Sequence, residues 1–90
     1  MPHSPREKRR VLARVRRVKG QLDAIERALE EGEECQAVMQ QIAAVRGAVN
    51  GLMRQVLEAH IRETFGPDAS AEQRMDEIEE INELLRSYLK

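Results

Sequence analysis

Cys35 is the single cysteine of the chain and His60 is one of two histidines. A thiol and an imidazole are the side chains best suited to hold soft or borderline metal ions, and a thiolate is also a strong nucleophile. Their spacing decides how they can be used. They stand 25 residues apart in a stretch that reads as one helix. At ~100° and ~1.5 Å per residue, that spacing returns both side chains to within about 20° of one face yet separates them by roughly 37 Å. One chain cannot close a site with both. Two antiparallel copies of the helix would carry Cys35 of one toward His60 of the other, so the chemistry is expected between subunits.

The elements that would position these groups are three helices and no strand. Ser4-Pro5-Arg6-Glu7 offers an N-cap serine, proline at the first helical position and glutamate at the third, an arrangement that satisfies otherwise orphaned N–H groups. Val11, Val15, Val18, Leu22, Ile25 and Leu29 follow in alternating steps of four and three, a heptad seam, and Gly32 ends it. A second helix is expected from about Glu34 to Phe65, with Val38, Ile42, Val45, Val49, Leu52 and Val56 in the same alternation and Gly66-Pro67 as its stop. Ser70 and Gln73 can cap a third helix carrying Met75, Ile78, Ile81, Leu84, Leu85, Tyr88 and Leu89.

The short connection at Gly32 makes the first two helices an antiparallel hairpin. Met39, Met53 and Leu57 add a second apolar line on the second helix, flanking the face of Cys35 and His60. That surface is too wide for one partner helix. The expected architecture is therefore all-α: a three-helix protomer whose hairpin pairs with a second copy into a four-helix-bundle dimer, the third helices lying outside. Counting back from the turn, residue 5 faces the neighbourhood of residue 60. Pro2 and His3 should approach His60 of their own chain and Cys35 of the partner, with Glu33, Glu34 and Glu63 nearby. A cysteine at a helix start is more often a small apolar filler than a reactive group, and a histidine near a helix C-terminus can simply complement the dipole. Their coincidence with an N-terminal amine, once Met1 is removed, points to chemistry instead; a helix N-terminus also favours the anionic thiolate.

The net charge of −1 conceals segregation. Residues 1–20 hold eight Lys or Arg against one Glu, net +7, and residues 21–34 hold six acids against one Arg, net −5. Arg6, Arg10, Arg14 and Arg17 follow in steps of four, four and three and share one side of the first helix, roughly 100° from the apolar seam. Repeated by symmetry, such stripes suit phosphates. No helix-turn-helix, zinc finger or aromatic platform accompanies them, so backbone contact and DNA shape would carry much of the recognition.

Ninety residues with 41% hydrophobic content suit one domain, 1–90, with a modest core of its own, which makes oligomerisation the expected remedy. A lone cysteine permits no internal disulfide and fits a reducing cytoplasm. No apolar run reaches the roughly 20 residues of a membrane span, and no secretory signal is visible. Neither a phosphate loop nor a nucleophile–base pair is available within one chain, so no enzyme is expected. A purely structural bundle is the competing class, and it predicts no affinity for DNA.

The residues also carry a family resemblance. Cys35, then Gln40-Gln41-Ile42-Ala43-Ala44-Val45-Arg46-Gly47-Ala48-Val49-Asn50-Gly51-Leu52-Met53, then His60 form the most specific stretch. Pro2, Arg14-Val15-Arg16-Arg17-Val18-Lys19-Gly20-Gln21 and Tyr88-Leu89-Lys90 support it. Over essentially its full length the chain resembles the CsoR/RcnR/FrmR family of small all-helical bacterial transcriptional repressors. The resemblance implies a homotetramer, a dimer of antiparallel dimers, that binds double-stranded operator DNA and is released by an inducer at the inter-subunit Cys35 site. Arg14 and Arg17 match family positions implicated in DNA contact, and Cys35 and His60 match two inducer-site positions.

Two inducers stay open. Metal-responsive members look for His or Cys one turn after His60, where this chain has Thr64, a poor ligand for such ions. His3, Cys35 and His60, with Glu63 or water, could still hold zinc, cobalt or nickel. The formaldehyde-responsive branch needs Pro2 and Cys35, and His60-Ile61-Arg62-Glu63-Thr64-Phe65 looks like that branch. The sequence reading favours formaldehyde, with Pro2, Cys35 and His60 as the inducer site.

Overall fold

The structure is a computed structural model describing residues 4–66 and 70–89. Within them the order is α1 (Pro5–Glu31), α2 (Cys35–Thr64) and α3 (Ala71–Tyr88). Each boundary has a local chemical cause. Ser4 Oγ accepts from the Glu7 N–H at 3.2 Å, as the sequence predicts, but the Glu7 carboxylate does not fold back on the cap. It reaches Arg62 on α2 instead, accepting from Nε at 2.9 Å. Gly32, at φ +72°, closes α1. Its N–H donates to Leu29 O and the Glu33 N–H donates to Ala28 O, the paired bonds of a Schellman cap. Ser70 and Gln73 form the reciprocal box at the start of α3, with bonds of 3.0 and 3.1 Å.

α1 and α2 pack antiparallel as expected, but not squarely on their heptad seams. Val18, Ala28, Val38 and Ala59 are the buried residues of the pair, with Gln21, Gln41, Ala48 and Gln55 half-buried beside them. Leu22 and Leu29, expected in the seam, are 50% and 63% exposed. The contact takes in Val18 and Val38 from the seams and Ala28 and Ala59 from outside them, so it is turned around each helix away from the middle of its seam. The larger apolar residues are thereby rotated out onto one face of the two-helix layer: Leu22 and Leu29 from α1, Met39, Ile42 and Val49 from α2.

α3 covers only part of that face. It lies along the C-terminal half of α2, where Leu84, Tyr88 and Leu89 face Leu52, Val56 and His60 across a shallow apolar groove; Ile81 is buried. Met75, Ile78, Leu85 and Tyr88 stay exposed. The molecule is a slab of 56 × 28 × 12 Å with a radius of gyration of 17.3 Å, against about 12 Å for a compact chain of this length. Its accessible surface of 7054 Å² exceeds the roughly 5,400 Å² of a compact monomer of this mass. One layer of helices exposes both faces, and domains ordinarily bury such faces in a second layer.

Candidate nucleic-acid interface and inducer site

The two faces of the slab differ in chemistry. On the face opposite the open apolar one, α1 and α2 form a groove lined by Arg6, Arg10 and Arg14 from α1 and Arg54 and Arg62 from α2. Arg17 lies beside Arg14 against Val18, Gln21 and Ala48. The arginine stripe thus flanks the α1–α2 contact rather than standing remote from it, and Arg14 is half-buried. Arg62 is held by Glu7 at 2.9 Å. Arg6, Arg10, Arg14, Arg17 and Arg54 have no carboxylate partner within ion-pair distance among the described residues. Glu7 and Glu58 are the acidic residues of the groove. The arrangement presents several unpaired, planar, permanently charged donors on a concave strip, which suits phosphate oxygens.

Arg54 was not singled out from sequence, although Arg54, Glu58 and Arg62 recur at steps of four and so share one side of α2. Two acceptors in the groove, Glu7 Oε2 and Gln55 Oε1, are buried without a hydrogen-bond partner among the described residues, as is Gln41 Oε1 farther along the hairpin.

The opposite face carries Cys35 and His60. Cys35 is the first residue of α2 and is an exposed free thiol. Glu34 precedes it as N-cap without a side-chain cap bond, so the dipole at this end is not answered by a capping carboxylate. His60 sits near the far end of α2, half-buried, with Nε2 3.2 Å from Glu77 Oε2 on α3. Nothing in the sequence marks Glu77, because the placement of α3 against α2 decides which of its side chains meets His60. Within one chain Cys35 and His60 are not brought together, as their spacing requires.

The start of α1 is fastened at the His60 end: the Ser4 N–H donates to Glu63 Oε1 at 3.4 Å, and the Glu7–Arg62 pair lies one turn on. This agrees with the counted register. Pro2 and His3 lie outside the described residues. Cys35 and His60 are donors appropriate to zinc, cobalt or nickel, but among the described residues no three His, Cys, Asp or Glu form a metal-holding group in one protomer. One turn past His60, Thr64 offers only a hydroxyl. No helix among the described residues is long and apolar enough to cross a membrane.

The model of a family described as metal-sensitive transcriptional repressors matches residues 7–87. A Serratia marcescens protein described only as an uncharacterised protein in the bioA 5′ region is 60% identical over the whole of both chains. The transcriptional repressor RcnR of Citrobacter koseri is 44% identical, again over the whole of both. Among solved structures, a variant of the formaldehyde-responsive regulator FrmR from Salmonella enterica serovar Typhimurium superposes with a TM-score of 0.85 at 52% identity, covering 97% of this chain and 99% of that one.

Proposed function

The chain belongs to the metal-sensitive transcriptional repressor family, the CsoR/RcnR/FrmR group, whose members are regulators rather than enzymes, and from that premise we propose that formaldehyde is the inducer that releases it from operator DNA. The observation that carries formaldehyde over a metal is Thr64. It occupies the position one turn past His60 where a soft donor would be needed, and the chain has only one cysteine and two histidines to offer. Likeness to the formaldehyde-responsive regulator supports the same choice.

The functional unit of this reading is an antiparallel dimer, assembled further into a tetramer, acting in the cytoplasm. The surplus surface of the slab supports it: roughly 1,700 Å² per chain beyond a compact monomer is ample for stable interfaces that bury about 800 Å² per partner. The open apolar face of Leu22, Leu29, Met39, Ile42 and Val49 surrounds the end of α2 that carries Cys35. Covering it with a second hairpin, antiparallel to the first, brings the partner's N-terminus to Cys35.

With Met1 removed, Pro2 presents a secondary amine. The Cys35 thiol adds to formaldehyde to give an S-hydroxymethyl group; the Pro2 nitrogen of the other chain then displaces its hydroxyl. Water leaves, and an N–CH2–S bridge remains. No oxidant or reductant is consumed. The bridge pulls on the residues just before Pro5, and the basic stripe begins at Arg6, so the strain is delivered to the DNA-binding face of Arg6, Arg10, Arg14 and Arg17.

A second reading has specific support as well. The family's metal sensitivity and the likeness to RcnR favour zinc, cobalt or nickel held by His3, Cys35 and His60 across the dimer. Release from DNA separates the two. Formaldehyde should free DNA from the wild type and not from Cys35→Ala; release by one of these metals with no response to formaldehyde selects the metal reading.

A further inference from the structure

The helical glycines are not equivalent. A Cβ built on Gly20 or Gly47 meets nothing within 4 Å, whereas one built on Gly51 overlaps Nη1 of Arg14 and lies 3.5 Å from its Cζ. Glycine inside a helix is less favourable than alanine, so Gly51 weakens the middle of α2 without any turn or positive φ to require it. What its bare backbone provides is a floor. The Arg14 side chain crosses from α1 and lays its guanidinium against α2 at that point. No carboxylate holds the guanidinium there among the described residues, so its placement depends on shape rather than on an ion pair.

We propose that Gly51 is a positioning residue for Arg14: by lacking a Cβ it lets the guanidinium lie down in the arginine groove, where it is presented with Arg10 and Arg54 to a DNA phosphate. This rests on the reading of the groove as the DNA-binding surface. An arginine confined to one orientation loses less freedom on binding than one that sways in solvent. A methyl at position 51 lifts the guanidinium off the floor. Because the group that must move is the far end of a flexible side chain, the helices keep their places.

The test compares full-length Gly51→Ala, Gly47→Ala, Arg14→Ala and the Gly51→Ala/Arg14→Ala double variant. Affinity for a duplex from the chain's own upstream promoter is measured as a function of salt, and thermal unfolding is followed by circular dichroism. Gly47→Ala should melt higher and bind DNA as wild type. Gly51→Ala should also melt higher but bind more weakly, its log–log salt slope shallower by up to about 0.9 per protomer, as for Arg14→Ala. In the Arg14→Ala background, Gly51→Ala should change affinity no further. Wild-type affinity of Gly51→Ala beside an impaired Arg14→Ala overturns the inference alone, as does an additive loss in the double variant or loss of helical structure in Gly51→Ala. Wild-type affinity of Arg14→Ala overturns the DNA reading of the groove and this inference with it.

Discussion

Arg10 and Arg62 line the same groove, yet replacing them should have different consequences for DNA binding. Arg62 is neutralised within the chain by Glu7 at 2.9 Å, whereas Arg10 has no such partner among the described residues. If Arg6, Arg10, Arg14, Arg17 and Arg54 each meet one phosphate, the affinity of a protomer falls with a log–log salt slope of about −4.5. Between about 50 and about 200 mM salt that is a loss of roughly 500-fold, each contact contributing a factor of about 3.5. Arg10→Ala should therefore flatten the slope by about 0.9 per protomer, while Arg62→Ala leaves it near the wild-type value. Fluorescence anisotropy of a labelled promoter duplex, titrated at several salt concentrations, reads the slope directly, and circular dichroism checks that both variants are folded. Equal slopes for Arg10→Ala and wild type would refute the groove as a phosphate-binding surface. A flattening in Arg62→Ala as large as in Arg10→Ala would refute the claim that Glu7 withholds Arg62 from DNA.

Two further outcomes follow from the fold. Ile42→Lys places a charge in the middle of the open apolar face and should shift the protein toward lower-order species in light scattering at micromolar concentration; unchanged assembly would show that this face is not the interface. Gly32→Ala forces a Cβ into a left-handed cap at φ +72° and should destabilise the hairpin by about 1–2 kcal/mol, read as a lower urea midpoint with an unchanged slope.

The local chemistry of this chain was legible from the start. Ser4, Gly32 and the Ser70/Gln73 box work through neighbours three to five residues apart, so their meaning is contained in the sequence around them. The hairpin register was legible too, because a short turn fixes which residues of α1 and α2 lie opposite, as the Ser4–Glu63 and Glu7–Arg62 contacts illustrate. What could not be read was the rotation of each helix about its axis. The seam of Leu22 and Leu29 satisfies a heptad pattern equally well against α2 or against a second chain. Gly51 under Arg14, Arg54 beside it and Glu77 on His60 all depend on that rotation or on the placement of α3. The proposed pairing of Cys35 with the N-terminus of another chain would belong to an assembly, one level beyond a single protomer.

The mass of what formaldehyde makes decides whether Pro2 and Cys35 are joined. Wild-type protein bound to its promoter duplex is treated with formaldehyde, the DNA released is followed by anisotropy, and the protein is digested and mapped by mass spectrometry. Release should proceed in step with an inter-chain peptide in which the Pro2 nitrogen of one chain and Cys35 Sγ of another share one added carbon. Cys35→Ala should give neither the linked peptide nor the release. Release with no such link, or a response only to zinc, cobalt or nickel, would rule out the formaldehyde bridge.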